Sequence, residues 1–500
     1  MKHVCEPELS PRFSCTATVL TILLVSSSLA GCSQPCPDGT EARFDRCVRA
    51  PEGLPLNSYL KASSPQPESW FGHAVAVDGK GVLVAAPFES EFRDQRQIRS
   101  AAVVYLFQAE KNFSDPRRIV AENAGDGDGE IPFDIVPEEF RGSLEPWGSV
   151  ALAMTDDLLV IGVAGESSAS LEPASKGAAP FAGAVYIYDR ASGDLVDYLK
   201  APTPRERDLF GHDVAITDSW LAVSSPGFDD PVKDSGVVYV YERKDHSLET
   251  GAVELPPQLL RAPTPTESSF LGRSLDLEGE VLVVGAPLAA HGDQPSLKSG
   301  QVFVYRQSDG NWGHEQTLDS SYPTQRGVFG YSVAMSGERF VIGSPGAAGC
   351  GAEDGPLAFR GAAYVVSRQA GTWSMGRCMK ARTGGATAGF AASAAILGDH
   401  LAIGATWDNN GIRGGRPLEA SGAAYLYEFS EELGFRETAY LKAPNARTND
   451  VFGFPVALAP GMLVVGAPGQ SGNQSSVDAR PELEPAGESG AAYVFSTPEP

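Results

Sequence analysis

Four sets of residues in this 500-residue chain have the types and spacing for chemistry. Acids alternate with glycines in "GDGDGEIPFD" (125–134), so Asp126, Asp128, Glu130 and Asp134 are a weak candidate for Ca²⁺, which takes six to eight oxygens. The EF-hand spacing is missing, and a solvated acidic insertion is the competing reading. His73 and His212 each follow an aromatic-Gly pair, so they share one slot near an axis. Two aligned imidazoles could ligate a metal, and polar residues lining a wet pore are the alternative. Cys36 and Cys47 flank a turn-rich loop too small to hold a core. A disulfide there would stabilise the loop by roughly 2–3 kcal/mol, whereas half a zinc site would lack two ligands nearby. Cys350 and Cys378 fall within one repeat, and a second bridge between them is open. Acid pairs such as Asp229-Asp230 and Glu138-Glu139 carry little weight in a chain of net charge −24. No His-Glu-x-x-His, Gly-x-Ser-x-Gly elbow or phosphate-binding loop occurs. The expectation is therefore no enzyme, no catalytic residue and no cofactor.

The charge argues against nucleic acid, whose phosphates demand a basic surface, and equally against anionic lipid. Hydrophobic residues make up 42% and charged residues 20%, as in a folded globular protein. Lys2 and Arg12 precede the apolar stretch "TATVLTILLVSSSLAGC" (16–32), which is short for a membrane span. Its end, Leu29-Ala30-Gly31-Cys32, resembles a bacterial lipobox. That resemblance implies a signal peptide over 1–31, lipid on Cys32, and a disulfide-containing tether over 32–56. Ser33 after the cysteine implies the outer membrane. An ordinary signal peptide or short anchor with a chance cysteine is the alternative.

The elements that must position these residues repeat along the chain. "LVVGAP" stands at 282–287 and again at 463–468, with relatives "VLVAAP" (82–87), "LAVSSP" (221–226), "FVIGSP" (340–345), "LAIGAT" (401–406) and the eroded "LVIGVA" (159–164). Before the run comes an aromatic-Gly pair opening a strand, as in "FGHAVAV" (71–77), with "LGRSLDL" (271–277) in the fourth copy and a degraded "FAASAAI" (390–396) in the sixth. After each comes an aromatic strand such as "SGAAYLYE" (421–428), then a short one such as "AYLKAP" (439–444). Four strands in each of seven units, apolar on both faces, bury themselves only by stacking radially. The expected fold is an all-β, seven-bladed propeller over 57–500. The small residues Ala74, Ala76, Ala151, Ala153, Ala392, Ala394 and Ala395 should lie near the axis. The last unit lacks its fourth strand, while "SYLKA" (58–62) precedes the first unit, so the N-terminal segment should close the ring.

These motifs resemble the FG-GAP repeats of integrin α-subunit propellers, found also in bacterial exported proteins. The match covers 57–496, and "FGYSVAM", "FVIGSP" and "GAAYVV" within 329–366 are its most specific part. That family often binds calcium between its first two strands. Here the connections are tight turns such as "SGER" (336–339), too poor in oxygens for Ca²⁺. The family's calcium sites are therefore not transferred.

Long, varied loops join strands two and three, and 122–146 is a long insertion on the same side. Asp126, Asp128, Glu130, Asp134, Glu482, Glu484 and Glu488 should form an acidic rim there, interrupted by Arg93, Arg96 and Arg99. The expected function is a lipid-anchored, monomeric binding or adhesion module at the cell envelope, with a protein or glycan as partner and the membrane met through lipid alone. A polysaccharide-cleaving enzyme on the same scaffold and a structural subunit of an envelope complex are the alternatives, since propellers host all three.

Overall fold

The computed structural model describes residues 40–43, 46–49, 54–93, 96–98, 100–121, 150–168, 179–247, 251–292, 294–351, 360–381, 388–410, 416–432, 434–471 and 487–498. Seven antiparallel sheets form a seven-bladed propeller. Each blade runs from an inner strand at the axis to an outer strand. Blade 5 shows the plan: Ser332–Ser336, Arg339–Ser344, Ala362–Gln369 and Thr372–Met379, each paired with the next. Inner strands of successive blades contact one another around the ring, and the seventh contacts the first. Alanines there let blades converge, as Ala151 and Ala392 do at 7% and 6% exposure. No described helix is long and apolar enough to cross a membrane.

The recurring "GAP" run is the second strand. Leu158–Val163, Val281–Ala286 and Met462–Ala467 are buried at every position, because blades pack on both of their faces. Their glycine has a second reason. A Cβ on Gly285 would lie 2.0 Å from the carbonyl oxygen of Gly330, the glycine of the next blade's Phe-Gly pair. Gly404 against Gly453 and Gly466 against Gly72 repeat that geometry at 1.9 and 2.2 Å. The two motifs are thus one contact, main chain against main chain, seen from two blades. The phenylalanine of the pair packs edge-on against its own blade's third-strand tyrosine. Phe71–Tyr105, Phe329–Tyr364 and Phe452–Tyr493 have ring centroids 5.6, 5.1 and 5.3 Å apart, the separation aromatic pairs prefer. In blade 6 Ala391 replaces the glycine, yet keeps φ +68°, and the strand register shifts beside it.

The ring closes as the repeat phase requires. Leu56–Leu60 pairs with Ala491–Ser496, with Tyr59 opposite Tyr493, and completes the sheet of Val456–Ala459 and Met462–Ala467. Lys61 then donates from Nζ to Gln470 Oε1 (2.6 Å) and Ser489 Oγ (2.9 Å), inside the protein. The same device recurs between an outer strand and the loop after the second strand. Lys200 pairs with Glu166, and Lys442 with Asp408 at 3.2 Å. Blade 1 uses Arg118 with Glu89 at 2.9 Å.

Two features depart from the even repeat. Blade 3 has its outer edge in two pieces, Gly251–Val253 and Gln258–Leu260, both paired with the long third strand Val237–Ser247. The break falls at Pro256-Pro257, where no N–H is available for the ladder. Cys350 and Cys378 form a disulfide with Cα atoms 5.6 Å apart, tying blade 5's second-to-third loop to its outer strand. Cys32 and Cys36 lie outside the described residues. Cys47 stands opposite Ala42 in a short hairpin of Thr40–Arg43 with Arg46–Arg49.

Candidate binding faces and the axial ring

Antiparallel blades put the first-to-second and third-to-fourth connections at one end of the ring. These turns are short, and side chains join them across blades. Arg190 of blade 2 bonds Asp78 of blade 1, and Arg243 of blade 3 reaches Asp157 of blade 2 at 2.8 Å. Arg339 of blade 5 pairs with Asp399 of blade 6 at 2.8 Å and lies over the Phe429 ring. Burial works against the Asp78 carboxylate, but the hydrogen bond and charge of Arg190 outweigh it and hold its pKa down. Asp78, Asp156, Asp218, Glu278 and Glu280 line a shallow basin of about 730 Å³ at this end. Lys80, Arg190 and Arg243 already offset part of its charge.

The opposite end carries the long connections. Glu488 is exposed, and its carboxylate accepts a hydrogen bond from the Trp70 indole at 3.2 Å, so blade 7's loop touches the start of blade 1. Trp70 N–H donates to the Glu488 carbonyl as well, and Glu68 N–H to that of Gly487. Arg93 and Arg96 face each other in register in a hairpin, Glu91–Arg93 with Arg96–Ile98, which carries Phe92 at 72% exposure. That hairpin is pinned to the chain leading into blade 1, because Gln66 exchanges two hydrogen bonds of 3.0 Å with the Ser90 backbone. Arg99, Asp126, Asp128, Glu130, Asp134, Glu482 and Glu484 lie outside the described residues. Of the expected rim, the structure therefore brings blades 7 and 1 together through Glu488.

At this end the inner strands begin beside the axis with the residue that follows Phe-Gly or, in blade 4, Leu271-Gly272. His73, His212, Arg273, Tyr331 and Phe454, from blades 1, 3, 4, 5 and 7, occupy one level. The His73 ring meets Phe454 edge-on at 5.7 Å, and the Arg273 guanidinium lies 4.3 Å from the Tyr331 ring centroid. Both histidines are only 6% exposed, so they are core residues and not the lining of a wet pore. Burial first, then the positive fields of Arg273 and His73, push His212 well below the usual histidine range. Phe270, Leu288, Val328 and Ala392, with Trp407 and Phe454, form an apolar wall around the blades 4–7 side of the same level.

Just below, Asp213 and Asp276 were missed as functional candidates, although an acid inside an apolar strand was visible in "FGHDVAI" and "LGRSLDL". Asp213 accepts hydrogen bonds from Leu275 N (2.8 Å) and Val214 N (2.9 Å), joining blades 3 and 4. Asp276 accepts from Met335 N (2.7 Å) and Leu277 N (2.8 Å), joining blades 4 and 5. Both residues are half-buried, and protein surrounds their carboxylates. Burial therefore dominates, raising Asp213 to about 7 and Asp276 to about 6. Among the described residues no three or more His, Cys, Asp or Glu side chains cluster as a metal site would require.

Comparison with known proteins agrees with the repeat. Residues 197–241 and 435–495 match the FG-GAP repeat family. Each stretch runs from the outer strand of one blade through the third strand of the next. In solved structures, the β-propeller domain of Myceliophteria thermophila Cps50 (Swd1) is similar, at 8% identity and a TM-score of 0.47 over 88% of this chain and 99% of that one. No curated protein matches the chain. A propeller with FG-GAP repeats is consistent with a binding or adhesion module.

Proposed function

We propose that this chain is an exported, lipid-anchored propeller that binds a protein or glycan at the bacterial cell envelope, through the end of the ring carrying the long loops. The observation that supports this most is the asymmetry of the two ends. One is a set of short turns joined to each other. The other presents long loops that differ from blade to blade on a rigid frame, which is where recognition usually sits. The rim of blades 7, 1 and 2 is the contact, its acids interrupted by Arg93, Arg96 and Arg99, and salt weakens it. Cys32 carries the lipid, and no enzyme activity, cofactor or nucleic acid enters this reading.

The test is capture from cell envelopes with the anchored protein as bait. Shortening 122–146 and 472–486 together should abolish capture while leaving the thermal transition in place. The second cut stops short of Gln470 and Glu488, because Gln470 holds Lys61 and Glu488 holds Trp70. Capture retained by this variant moves the contact to the other end or to the axis. Separately, Cys32→Ser should take the protein out of the detergent phase, and unchanged partitioning refutes the anchor.

A further inference from the structure

Phe92 is the most exposed large apolar side chain among the described residues, at 72%. It stands in the loop between the second and third strands of blade 1, where Glu91–Arg93 and Arg96–Ile98 form a two-stranded sheet of their own. Side chains alternate across such a sheet. Ile98, opposite Glu91, is buried in the core of blade 1, whereas Phe92 and the Gln97 opposite it are exposed. One face of the hairpin is therefore seated and the other is open. The seat is firm. Just before the hairpin, Glu89 is buried and accepts hydrogen bonds from the Tyr105 hydroxyl at 2.8 Å and the Arg118 guanidinium at 2.9 Å. Gln66 holds the Ser90 backbone, and Arg118 also pairs with Glu91. An aromatic side chain presented on such a base loses little freedom when a partner covers it.

The hairpin is also a positive spot on a chain of net charge −24. Arg93 and Arg96 hold opposite register positions, where like charges oppose the pairing. Glu91 is engaged by Arg118, which leaves Asp94 as the one acid between the two arginines. Carboxylates brought by a partner would complete the balance. A second copy of this chain, itself at −24, is repelled as a whole, and a neutral glycan would gain nothing from the arginines. Aromatic and arginine residues together are the usual anchors of protein interfaces. We propose that this open face, Phe92 beside Arg93 and Arg96, docks a protein partner through an apolar pocket rimmed by carboxylates. That docking point presupposes that the loop-bearing end is the binding end, and adds to it an anchor and a class of partner.

The experiment puts the photo-crosslinking residue p-benzoylphenylalanine in place of Phe92, in the full chain and in intact cell envelopes. The control carries it in place of Leu255, which is 69% exposed on blade 3. The first should give a protein adduct that the control does not, and the partner peptide joined to it should be rich in Asp and Glu. Arg93→Glu with Arg96→Glu should cut the adduct about tenfold or more, because like charges then meet. If reversal disturbs the hairpin, Arg93→Gln with Arg96→Gln should still lower the yield and flatten its dependence on salt. Phe92→Ser should weaken capture about thirtyfold, the loss of an aromatic anchor, with the thermal transition in place. An adduct that the control shares, or that ignores both arginine variants, overturns the proposal. So does an adduct with a second copy of this chain or with a glycan, and so does the absence of any adduct. Capture kept by Phe92→Ser but lost on shortening 122–146 and 472–486 overturns the hairpin alone. Capture kept by both variants removes the loop-bearing end as well.

Discussion

The two ends of the ring join their blades by different means. At the loop-bearing end, main chain meets main chain. Among the described residues, in five blades the glycine before the third strand sits at positive φ and forms a parallel bridge to the residue that opens the next blade, as Gly183 does with Phe210 and Gly490 with Phe71. At the short-turn end, the joints are side chains such as Arg190 on Asp78 and Lys80 on Asp156. A backbone contact has no rotamers to yield with, whereas an exposed ion pair such as Lys80 with Asp156 is exchanged for water at little loss. The first kind of joint should be intolerant of change and the second permissive.

The largest expected effect comes from removing the strand that completes blade 7, whose ladder is a third kind of joint. Deleting 54–62 removes the outer strand of blade 7, exposes the edge of Ala491–Ser496 and strands Gln470 and Ser489 without Lys61. Calorimetry should show a much lower transition, and light scattering should show aggregation through the open edge. A deletion that melts with the intact protein would mean that the clasp holds nothing.

Next come two glycines, one at each end. Gly490→Ala places a Cβ 2.0 Å from the Phe71 carbonyl oxygen at φ +78°. It should destabilise by about 3 kcal/mol or more, the range of overpacking with strain. Gly279→Ala, in the turn of blade 4 at φ +57°, meets nothing within 4 Å. Only the left-handed backbone opposes it, so a loss of about 1–2 kcal/mol is expected in chemical denaturation. Equal losses would remove the distinction between the two ends.

Mild acid should act in the opposite, stabilising direction. Burial raises Asp208, Asp213 and Asp450 to about 7 and Asp276 to about 6. An acid whose pKa is higher folded than unfolded favours the folded state when protonated. The contribution is complete below the unfolded value near 4 and is lost as pH rises through 6–7. Asp78 and Asp157 have lowered pKa values and oppose this only once pH falls through their own folded values, below about 4. The melting temperature should therefore rise between pH 8 and pH 5, and a fall across that window would contradict the buried setting of these four acids. The smallest effect belongs to Lys80→Ala. It deletes a 2.6 Å pair with Asp156 whose side chains are 66% and 74% exposed, and the change in denaturant midpoint should correspond to less than about 1 kcal/mol.

Much of the fold was legible because its contacts are local in repeat phase. Alternation and turn residues define four strands per unit, and the displaced "SYLKA" shows which end closes the ring. The site was far less legible. Glu488 was foreseen on the rim, but its bond to Trp70 depends on two residues 418 positions apart. His73 and His212 were assigned to one slot, yet the edge-on contact of the His73 ring with Phe454, which fills that slot in blade 7, exists only once the ring has closed. The Cys350–Cys378 pairing likewise waited on blade 5 being folded.

By itself, the sequence determined the number of blades, the strand order and the mode of closure, since apolar periodicity and glycine placement act within one unit and repeat. Tertiary structure alone decided which acids become poorly hydrated, which cations converge on the axis and which joints are backbone. Those properties depend on distances between blades, and such distances exist only once seven sheets share one axis.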